Sequence, residues 1–572
     1  MLTQHLVGSP GKEICVVLHW HDPQSPSVVI CPGLKIGQCG DHFMFSYAAR
    51  QCHRLGMNVF QFDYLGDGDS AGTFEDITVD SLLESAQTVI KFAQNLGCTT
   101  IGLVGWGVGN VVVSYLSGLV NVVGLVLLWP DFDLISNFPA GFSPERLIGS
   151  PPEYLEINLE SIDESSLEFR FWDAVLGREE SPLRDYGPLS LRFLYQLATL
   201  RPSQQLAEIS KPVLVVLDDD QEIASNAYSA PGWTEGIKVP KELKLSDLGY
   251  GSRGLLVREE VADQISSWLV VKLDPYKEEH RALMSGLETT LLEGKSDYTR
   301  SDRARMCSFS FESDGQQVLG ILYVPSTTFK GVRPCVIYEP GFGGNRGEIA
   351  WSDLQLVNAL VDNGIYVLLY DSRGSGVSAG EFFEITWSRR LQDLNLAIRW
   401  LAEIDQVDMN RLAILGWSAG AKTACYVANR INGIRGCVLW SPVLVDAVNG
   451  VDQLVRFTRD PSGKLVTRSL GDGVVGIRYF VDAKKYDFEA EFERCRKPML
   501  MIFGKQDAVI TEPMRQFVER TSVGQPKKQI MEARGGHLFS RDSLREEVIK
   551  ASVAWLINLF DGGMQCHDFL SL

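Results

Sequence analysis

The sequence predicts two α/β domains in tandem, each with a mostly parallel, doubly wound sheet. The length of 572 residues exceeds that of one ordinary domain. Apolar runs bounded by glycine or proline alternate with helical patterns, and such runs are typical of strands buried on both faces of a sheet. Six segments of the first half also recur in the same order in the second half, which indicates an internal repeat.

The recurring segments define the domain organisation. The matched pairs are 28–34 with 335–342, 60–74 with 368–382, 101–109 with 412–420, 123–130 with 436–442, 211–221 with 497–507 and 258–269 with 545–556. The predicted divisions are a first domain at 1–271, a helical linker at 272–303 and a second domain at 304–572. Between the fourth and fifth pairs we expect lids, at about 131–210 and 443–496, because insertions there overhang the strand ends where ligands bind.

Composition excludes several classes of protein. The formal net charge of −18 argues against a nucleic-acid partner, since phosphate binding needs a basic face. The eleven cysteines are odd in number and include no C-x-x-C pair, so neither a disulfide framework nor a metal site is indicated. We find no signal-peptide pattern and no apolar stretch of membrane-spanning length, so a cytoplasmic protein without a membrane span is expected.

A nucleophile is predicted at Ser418, in the segment Gly416-Trp417-Ser418-Ala419-Gly420. An apolar strand-like run precedes this segment and a helical pattern follows it. A G-x-S-x-G sequence in a strand–turn–helix context is the nucleophile elbow, where small residues flank a strained serine.

A serine hydroxyl is a weak nucleophile and needs a general base. His280 lies in the predicted linker and His567 near the C-terminus, so His537 is the candidate base. Asp507 follows an apolar strand and precedes His537, which gives the chain order Ser, Asp, His. Asp446 is a competing carboxylate. For the oxyanion hole we expect the backbone N–H groups of two residues, Ala419 and Phe342, with Gly343 as second choice for the latter.

These residues and motifs resemble the α/β-hydrolase superfamily over nearly the whole chain, once per half. Residues 311–326 resemble the opening of serine esterases and S9-type peptidases, and YDSRGSGVSAGEF at 370–382 resembles acyl esterases such as cinnamoyl esterases. The first half is similar to thioesterase-like hydrolases. The resemblance implies acyl transfer through an acyl-enzyme with no cofactor. Glu339 departs from it, because many members carry a histidine beside the oxyanion loop.

The first half lacks the predicted catalytic side chains. Gly107 stands at the nucleophile position, Gln221 at the position of Asp507 and Tyr250 at the position of His537. We therefore predict a non-hydrolytic domain that buttresses its neighbour, forms a dimer interface, shapes a substrate channel or docks an acyl carrier. We interpret the nearby Cys39, His42 and His53 as structural.

The sequence thus predicts a serine hydrolase acting on a small-molecule or carrier-bound acyl ester or thioester. An acyltransferase that passes the acyl group to an amine or alcohol is the first alternative, and an S9-like peptidase is the second. The alternative from another class is a binding or scaffold protein. The sequence leaves a homo-oligomer open.

Overall fold

The chain forms two compact units, Met1–Ser296 and Asp297–Leu572. The computed structural model describes residues 1–34, 38–39, 43–119, 121–128, 154–158, 185–190, 192–193, 196–197, 205, 211–218, 241–246, 254–273, 297–299, 304–326, 328–347, 354–445, 457–459, 465–468, 474–523, 525, 528–537, 539 and 542–561.

A mixed eight-stranded sheet forms the centre of the first unit. The strands of this unit are β1 Leu2–Val7, β2 Ile14–His19, β3 Ser27–Cys31, β4 Asn58–Phe62, β5 Ile101–Trp106, β6 Val122–Leu128, β7 Tyr154–Asn158, β8 Asp185–Ser190, β9 Val213–Asp218 and β10 Lys241–Ser246. The sheet order is β1-β2-β4-β3-β5-β6-β9-β10, while β7 and β8 form a separate antiparallel pair. Only the pairings of β2 with β1 and β4 are antiparallel, so the described sheet is mostly parallel.

Helices cover both faces of this sheet. They are α1 Met44–Arg54, α2 Val79–Asn95, α3 Val108–Leu116 and α4 Gly254–Leu273. Val29 and Cys31 of β3 pack in the cluster that contains α2 and α3, whereas Val28 and Ile30 pack in the cluster that contains α1 and α4. This alternation follows from the two-residue period of a strand and explains why the strand is apolar throughout.

The second unit has a nine-stranded mixed sheet. Its strands are β11 Asp297–Thr299, β12 Ala304–Ser313, β13 Gln316–Pro325, β14 Arg333–Glu339, β15 Tyr366–Tyr370, β16 Val407–Trp417, β17 Ile434–Trp440, β18 Phe457–Arg459, β19 Leu465–Arg468, β20 Val474–Gly476, β21 Met499–Gly504 and β22 Lys528–Ala533. The sheet order is β11-β12-β13-β15-β14-β16-β17-β21-β22, and β18-β19-β20 form a small separate sheet. The helices are α5 Gln355–Asp362, α6 Trp387–Leu401, α7 Gly420–Ala428, α8 Ile477–Ala483, α9 Phe488–Arg494, α10 Glu512–Ser522 and α11 Asp542–Asp561.

Apart from the edge strand β11, the two main sheets have the same strand order. In both, the N-terminal strands pair antiparallel and the remaining strands pair parallel. The predicted fold class, two α/β units that each contain a mostly parallel sheet, is confirmed.

The predicted linker at 272–303 carries regular structure at both ends. Helix α4 extends to Leu273, and β11 pairs with β12 of the second unit, while residues 274–296 lie outside the described residues. Within the two predicted lids, the described elements are β7 and β8 in the first, and β18–β20, α8 and α9 in the second. Among the described helices, none combines the length and the apolar composition needed to cross a bilayer.

One buried histidine makes the stability of the first unit depend on pH. His19 lies in β2, and its Nε2 is 3.1 Å from Oε1 of Gln61. Burial, and secondarily the positive charge of Arg50 and the neighbouring His53, lowers the pKa of His19 to about 3. In the unfolded chain the pKa of a histidine is about 6.5. Between about pH 3 and pH 6.5, His19 is therefore protonated in the unfolded chain and neutral in the folded unit. His19 therefore does not lower the free energy of unfolding above about pH 6.5, and it lowers this free energy progressively as the pH drops towards 3.

We expect His19 to account for about 2 kcal/mol of lost unfolding free energy between pH 7 and pH 5. Hydrogen exchange of the β2 and β4 amides at both pH values measures this loss. The His19→Gln variant should lose less than the native protein on acidification. The exposed His21 provides the matched control, because His21→Gln should behave as the native chain does. Equal acid sensitivity of His19→Gln and the native protein would show that this assignment is wrong.

Candidate active site

Ser418 lies in the tight turn between β16 and α7. Its φ is 52°, in the left-handed region that L-residues rarely adopt. Glycine is required on both sides of this turn. A Cβ on Gly416 would lie 2.8 Å from the Gly420 carbonyl oxygen, and one on Gly420 would lie 2.7 Å from the Pro340 oxygen and closer still to that of Glu339. The Ser418 N–H donates to the Trp440 carbonyl at 2.8 Å, and the serine remains partly exposed.

Asp507 and His537 form a hydrogen-bonded pair, with 2.8 Å between Asp507 Oδ2 and His537 Nδ1. The other carboxylate oxygen, Oδ1, accepts the N–H groups of Val509 at 2.8 Å and Ile510 at 3.0 Å. The Asp507 side chain is fully buried, and that of His537 is 11% exposed. With Asp507 ionised, Nδ1 must carry the imidazole proton, which leaves Nε2 free to accept one.

The environment keeps Asp507 ionised. Burial alone would raise the pKa of this carboxyl, but the hydrogen bond and charge of His537 and the two backbone donors outweigh burial and hold the pKa below its usual range. The carboxylate is therefore charged throughout the neutral pH range, as the partner of a general base must be.

Hydrogen bonds join the loop that carries Asp507 to the loop that carries His537, and the latter to the turn at Ser418. Gln506 donates its N–H to the Gly535 carbonyl at 2.9 Å, and its Oε1 accepts the Gly535 N–H at 2.6 Å. The indole N–H of Trp417 donates to the His537 carbonyl at 3.2 Å. The structure thus brings His537 and Asp507 together and links their loops to the residue before Ser418. The competing Asp446 lies outside the described residues.

The loop after β14 lies against Ser418. A Cβ on Gly341 would be 3.3 Å from Ser418 Cβ and 3.8 Å from its Oγ. Phe342 directly follows Gly341, whereas Gly343 is one residue further along and has a φ of 73°. Ala419 directly precedes α7, so its amide lies at the positive end of a helix. This arrangement supports Phe342 and Ala419 as the oxyanion donors.

Aromatic side chains pack around Phe342 and close to Ala419. Phe342 contacts Phe382 and Tyr479 edge-on, each with ring centroids 5.4 Å apart, and Tyr479 lies 5.7 Å from Trp387. The Lys422 ammonium lies 5.2 Å from the Trp387 ring centroid. Tyr479 belongs to the predicted lid segment at 443–496, so the described part of that segment reaches the loop that carries Phe342.

A buried polar network lies directly beneath the loop after β14, the predicted oxyanion loop. Of this network, the sequence analysis singled out only the Glu339 carboxylate. Glu339 Oε1 accepts from Arg390 Nη2 at 2.8 Å and from Thr423 Oγ1 at 3.0 Å, and Oε2 accepts the Tyr370 hydroxyl at 2.5 Å. Burial alone would lower the pKa of Arg390, but the Glu339 carboxylate outweighs it and raises that pKa. Burial, together with Glu339, raises the pKa of Tyr370 well above its usual range.

The first unit repeats the turn with glycine at its centre. Gly107 has a φ of 56°, close to that of Ser418. A Cβ on Gly105 would lie 2.8 Å from the Gly109 oxygen, and one on Gly109 would lie 2.7 Å from that of Pro32, so the close approaches of the second unit recur. The positions predicted to replace the acid and the base, Gln221 and Tyr250, lie outside the described residues.

The neighbouring residues interpreted as structural are only partly described. Cys39 is buried, and its carbonyl accepts the Phe45 N–H at 2.9 Å. The His53 ring lies 4.4 Å from that of His21. His42 lies outside the described residues.

Comparison with known proteins identifies relatives of the second unit. The family described as serine aminopeptidase, S33, matches residues 341–472, which include the loop after β14 and the turn at Ser418. The second unit belongs to the α/β-hydrolase superfamily. The family match supports an enzyme of the hydrolase kind. The family match covers less than a quarter of the 572 residues.

Solved structures of similar proteins each correspond to somewhat less than half of the chain. Est1E from Butyrivibrio proteoclasticus, with bound ferulic acid, is 19% identical, with 44% of this chain and 99% of that chain covered and a TM-score of 0.38. The α/β-hydrolase GrgF from Penicillium sp. sh18 is 17% identical, with 45% and 99% covered and a TM-score of 0.37. The Pyrococcus furiosus esterase PF2001 is 16% identical, with 45% and 91% covered and a TM-score of 0.33. No curated protein matches the chain.

Proposed function

We propose that the second unit is a serine hydrolase that cleaves an acyl ester or thioester through an acyl-enzyme on Ser418. The observation that carries this proposal is the Asp507–His537 pair, 2.8 Å apart, whose loop is hydrogen-bonded to the elbow of Ser418. Nucleophile, acid and base occur in this order along the chain, which is the order of the superfamily. The first unit has Gly107 at the equivalent turn and therefore no nucleophile at this position. In this proposal the first unit has no hydrolytic activity.

The reaction follows from the roles of these groups. Ser418 Oγ attacks the acyl carbon while His537 Nε2 takes the hydroxyl proton and Asp507 stabilises the resulting imidazolium. The Phe342 and Ala419 N–H groups bind the oxyanion. His537 then gives its proton to the departing alcohol or thiol. A water molecule, deprotonated by His537, then attacks the acyl carbon. The bond from this carbon to Ser418 Oγ breaks, His537 returns the proton to Oγ, and the acid leaves.

The exposure of Ser418 favours hydrolysis over acyl transfer. Transfer to an amine or alcohol requires that water be kept from the acyl-enzyme, which a dry, closed site achieves. Ser418 is partly exposed, which is the arrangement that hydrolysis of the acyl-enzyme by water requires. A peptidase would further need a carboxylate or an arginine that binds a peptide terminus, and we identify no such side chain among the described residues.

A fluorophosphonate probe tests the proposal. The native protein should be labelled once, on the peptide that contains Ser418, because only an activated serine reacts rapidly with such a probe. Ser418→Ala should abolish labelling completely, and mass spectrometry of the digested protein locates the adduct. Absence of labelling in the native protein, or labelling that persists in Ser418→Ala, would contradict the proposal. A panel of p-nitrophenyl esters of graded chain length, alongside acyl thioesters, then defines the acyl group.

A further inference from the structure

The network around Glu339 extends to the backbone of the oxyanion loop. Besides its bonds to Glu339, the Arg390 guanidinium donates Nη2–H to the Pro340 carbonyl and Nη1–H to the Gly341 carbonyl at 3.3 Å. Arg390 is 2% exposed and Glu339 is fully buried. One side chain thus ties two successive carbonyls of the loop to a fixed anion at the end of β14.

The bond to Gly341 fixes the direction of the next amide. A peptide unit is planar and trans, so its carbonyl and its N–H point in opposite directions. The peptide between Gly341 and Phe342 carries both the carbonyl that Arg390 holds and the proposed oxyanion donor. Because Arg390 draws the Gly341 oxygen to its own side of the loop, the Phe342 N–H must point to the opposite side.

The fold itself does not need these polar groups, as the first unit shows. There the corresponding positions are all apolar or weakly polar and fully buried: Cys31 for Glu339, Phe62 for Tyr370, Leu82 for Arg390 and Val112 for Thr423. The register supports this correspondence, since Cys31 pairs with Gly105 of the first turn and Glu339 with Gly416 of the second. Leu82 and Arg390 are each the fourth residue of a helix that begins after a threonine, Thr78 or Thr386.

Burial of an ion pair seldom increases stability over apolar residues of similar size, because both ions lose their hydration. The first unit packs the same site with apolar side chains, so stability gives no reason for a charged network in the second. The network occurs in the unit whose turn carries a serine.

We infer that Arg390, oriented by Glu339, Tyr370 and Thr423, is a positioning residue that holds the oxyanion loop with the Phe342 N–H directed at the developing oxyanion. This inference rests on the proposed serine hydrolase function. Arg390 touches no reacting atom in this arrangement and acts through the loop backbone. Lysine cannot replace it, because a single ammonium lacks the planar set of donors that reaches the carboxylate and two carbonyls together.

The test transfers the residues of the first unit to the second. The variant Glu339→Cys/Tyr370→Phe/Arg390→Leu/Thr423→Val should fold, since an apolar set already packs beneath the equivalent turn. We expect kcat on a p-nitrophenyl ester to fall about 10²-fold with KM changed less than about threefold, as for loss of one oxyanion donor. The rate of fluorophosphonate labelling should fall by a similar factor. Arg390→Lys in the native protein should also have a kcat below the native value.

A second buried ion pair supplies the matched control. Arg373 and Asp393 lie 2.8 Å apart and are fully buried, and their first-unit counterparts are Leu65 and Ser85. Arg373→Leu/Asp393→Ser therefore makes the same kind of exchange away from the oxyanion loop. It should leave kcat within about threefold of native, whatever its effect on thermal stability.

The outcomes separate this inference from the proposed function. Native kcat in the four-residue variant would overturn the role of Arg390 while the hydrolase proposal stood. A native protein that the probe fails to label would overturn the hydrolase proposal. The crystal structure of the four-residue variant tests the positioning role independently of activity. A Gly341–Phe342 peptide that keeps its native direction contradicts the positioning role of Arg390, and a peptide that has turned supports it.

Discussion

Replacement of His537 by alanine is expected to lower kcat by about 10⁶-fold. No other described histidine lies in the second unit, so no other imidazole of the described residues can take the Ser418 proton. The neutral hydroxyl is then almost inert as a nucleophile. Steady-state hydrolysis of the best ester in the panel measures the loss, with Ser418→Ala as the reference for complete inactivation.

Imidazole added to the His537→Ala variant distinguishes a lost base from a lost fold. A folded variant with an empty base position should regain part of its activity as the imidazole concentration rises, whereas Ser418→Ala should not respond. Activity of His537→Ala within tenfold of the native value would show that another group serves as the base.

Asp507→Asn is expected to lower kcat by about 10⁴-fold with little change in fold. The amide oxygen can still accept the Val509 and Ile510 N–H groups, as Oδ1 of Asp507 does. The amide nitrogen then faces His537 Nδ1 and donates to it, which places the imidazole proton on Nε2 and removes the acceptor that Ser418 requires.

The pH profile gives this prediction a second readout. Because the pKa of Asp507 is held below its usual range, the native enzyme should not lose activity through protonation of this carboxyl above about pH 4. Asp408→Asn is the control, since Asp408 bonds Arg411 at the opposite end of β16 from Ser418. Full activity of Asp507→Asn would show that a different carboxylate supports His537.

The parts of the site carried by local patterns could be predicted from the sequence. The glycines around Ser418 are required by contacts within one turn, so the motif alone indicates the turn. Asp507 and His537 each follow a strand of the sheet, and their pairing follows from the parallel order of β21 and β22. Backbone donors such as the Phe342 amide are harder to select, because any residue of a glycine-rich loop offers the same N–H.

The network around Arg390 could not be found from local sequence. Glu339 and Tyr370 lie at the ends of two strands, and Arg390 and Thr423 lie on two different helices, so nothing in the spacing along the chain joins them. A signal was nevertheless present in the internal repeat. Position-by-position comparison of the two halves pairs each of these side chains with a residue that can form no equivalent ionic network.

The backbone of the turn has a consequence for the history of such domains. A left-handed conformation costs an L-residue about 1–2 kcal/mol, whereas glycine adopts it freely. Ser418 at 52° bears this cost, and Gly107 at 56° does not. A change from serine to glycine at the turn therefore destroys the nucleophile and relieves the strain in a single step. At this position, selection for stability and the loss of selection for catalysis both favour glycine. A return to serine therefore requires a catalytic benefit that outweighs the cost in stability.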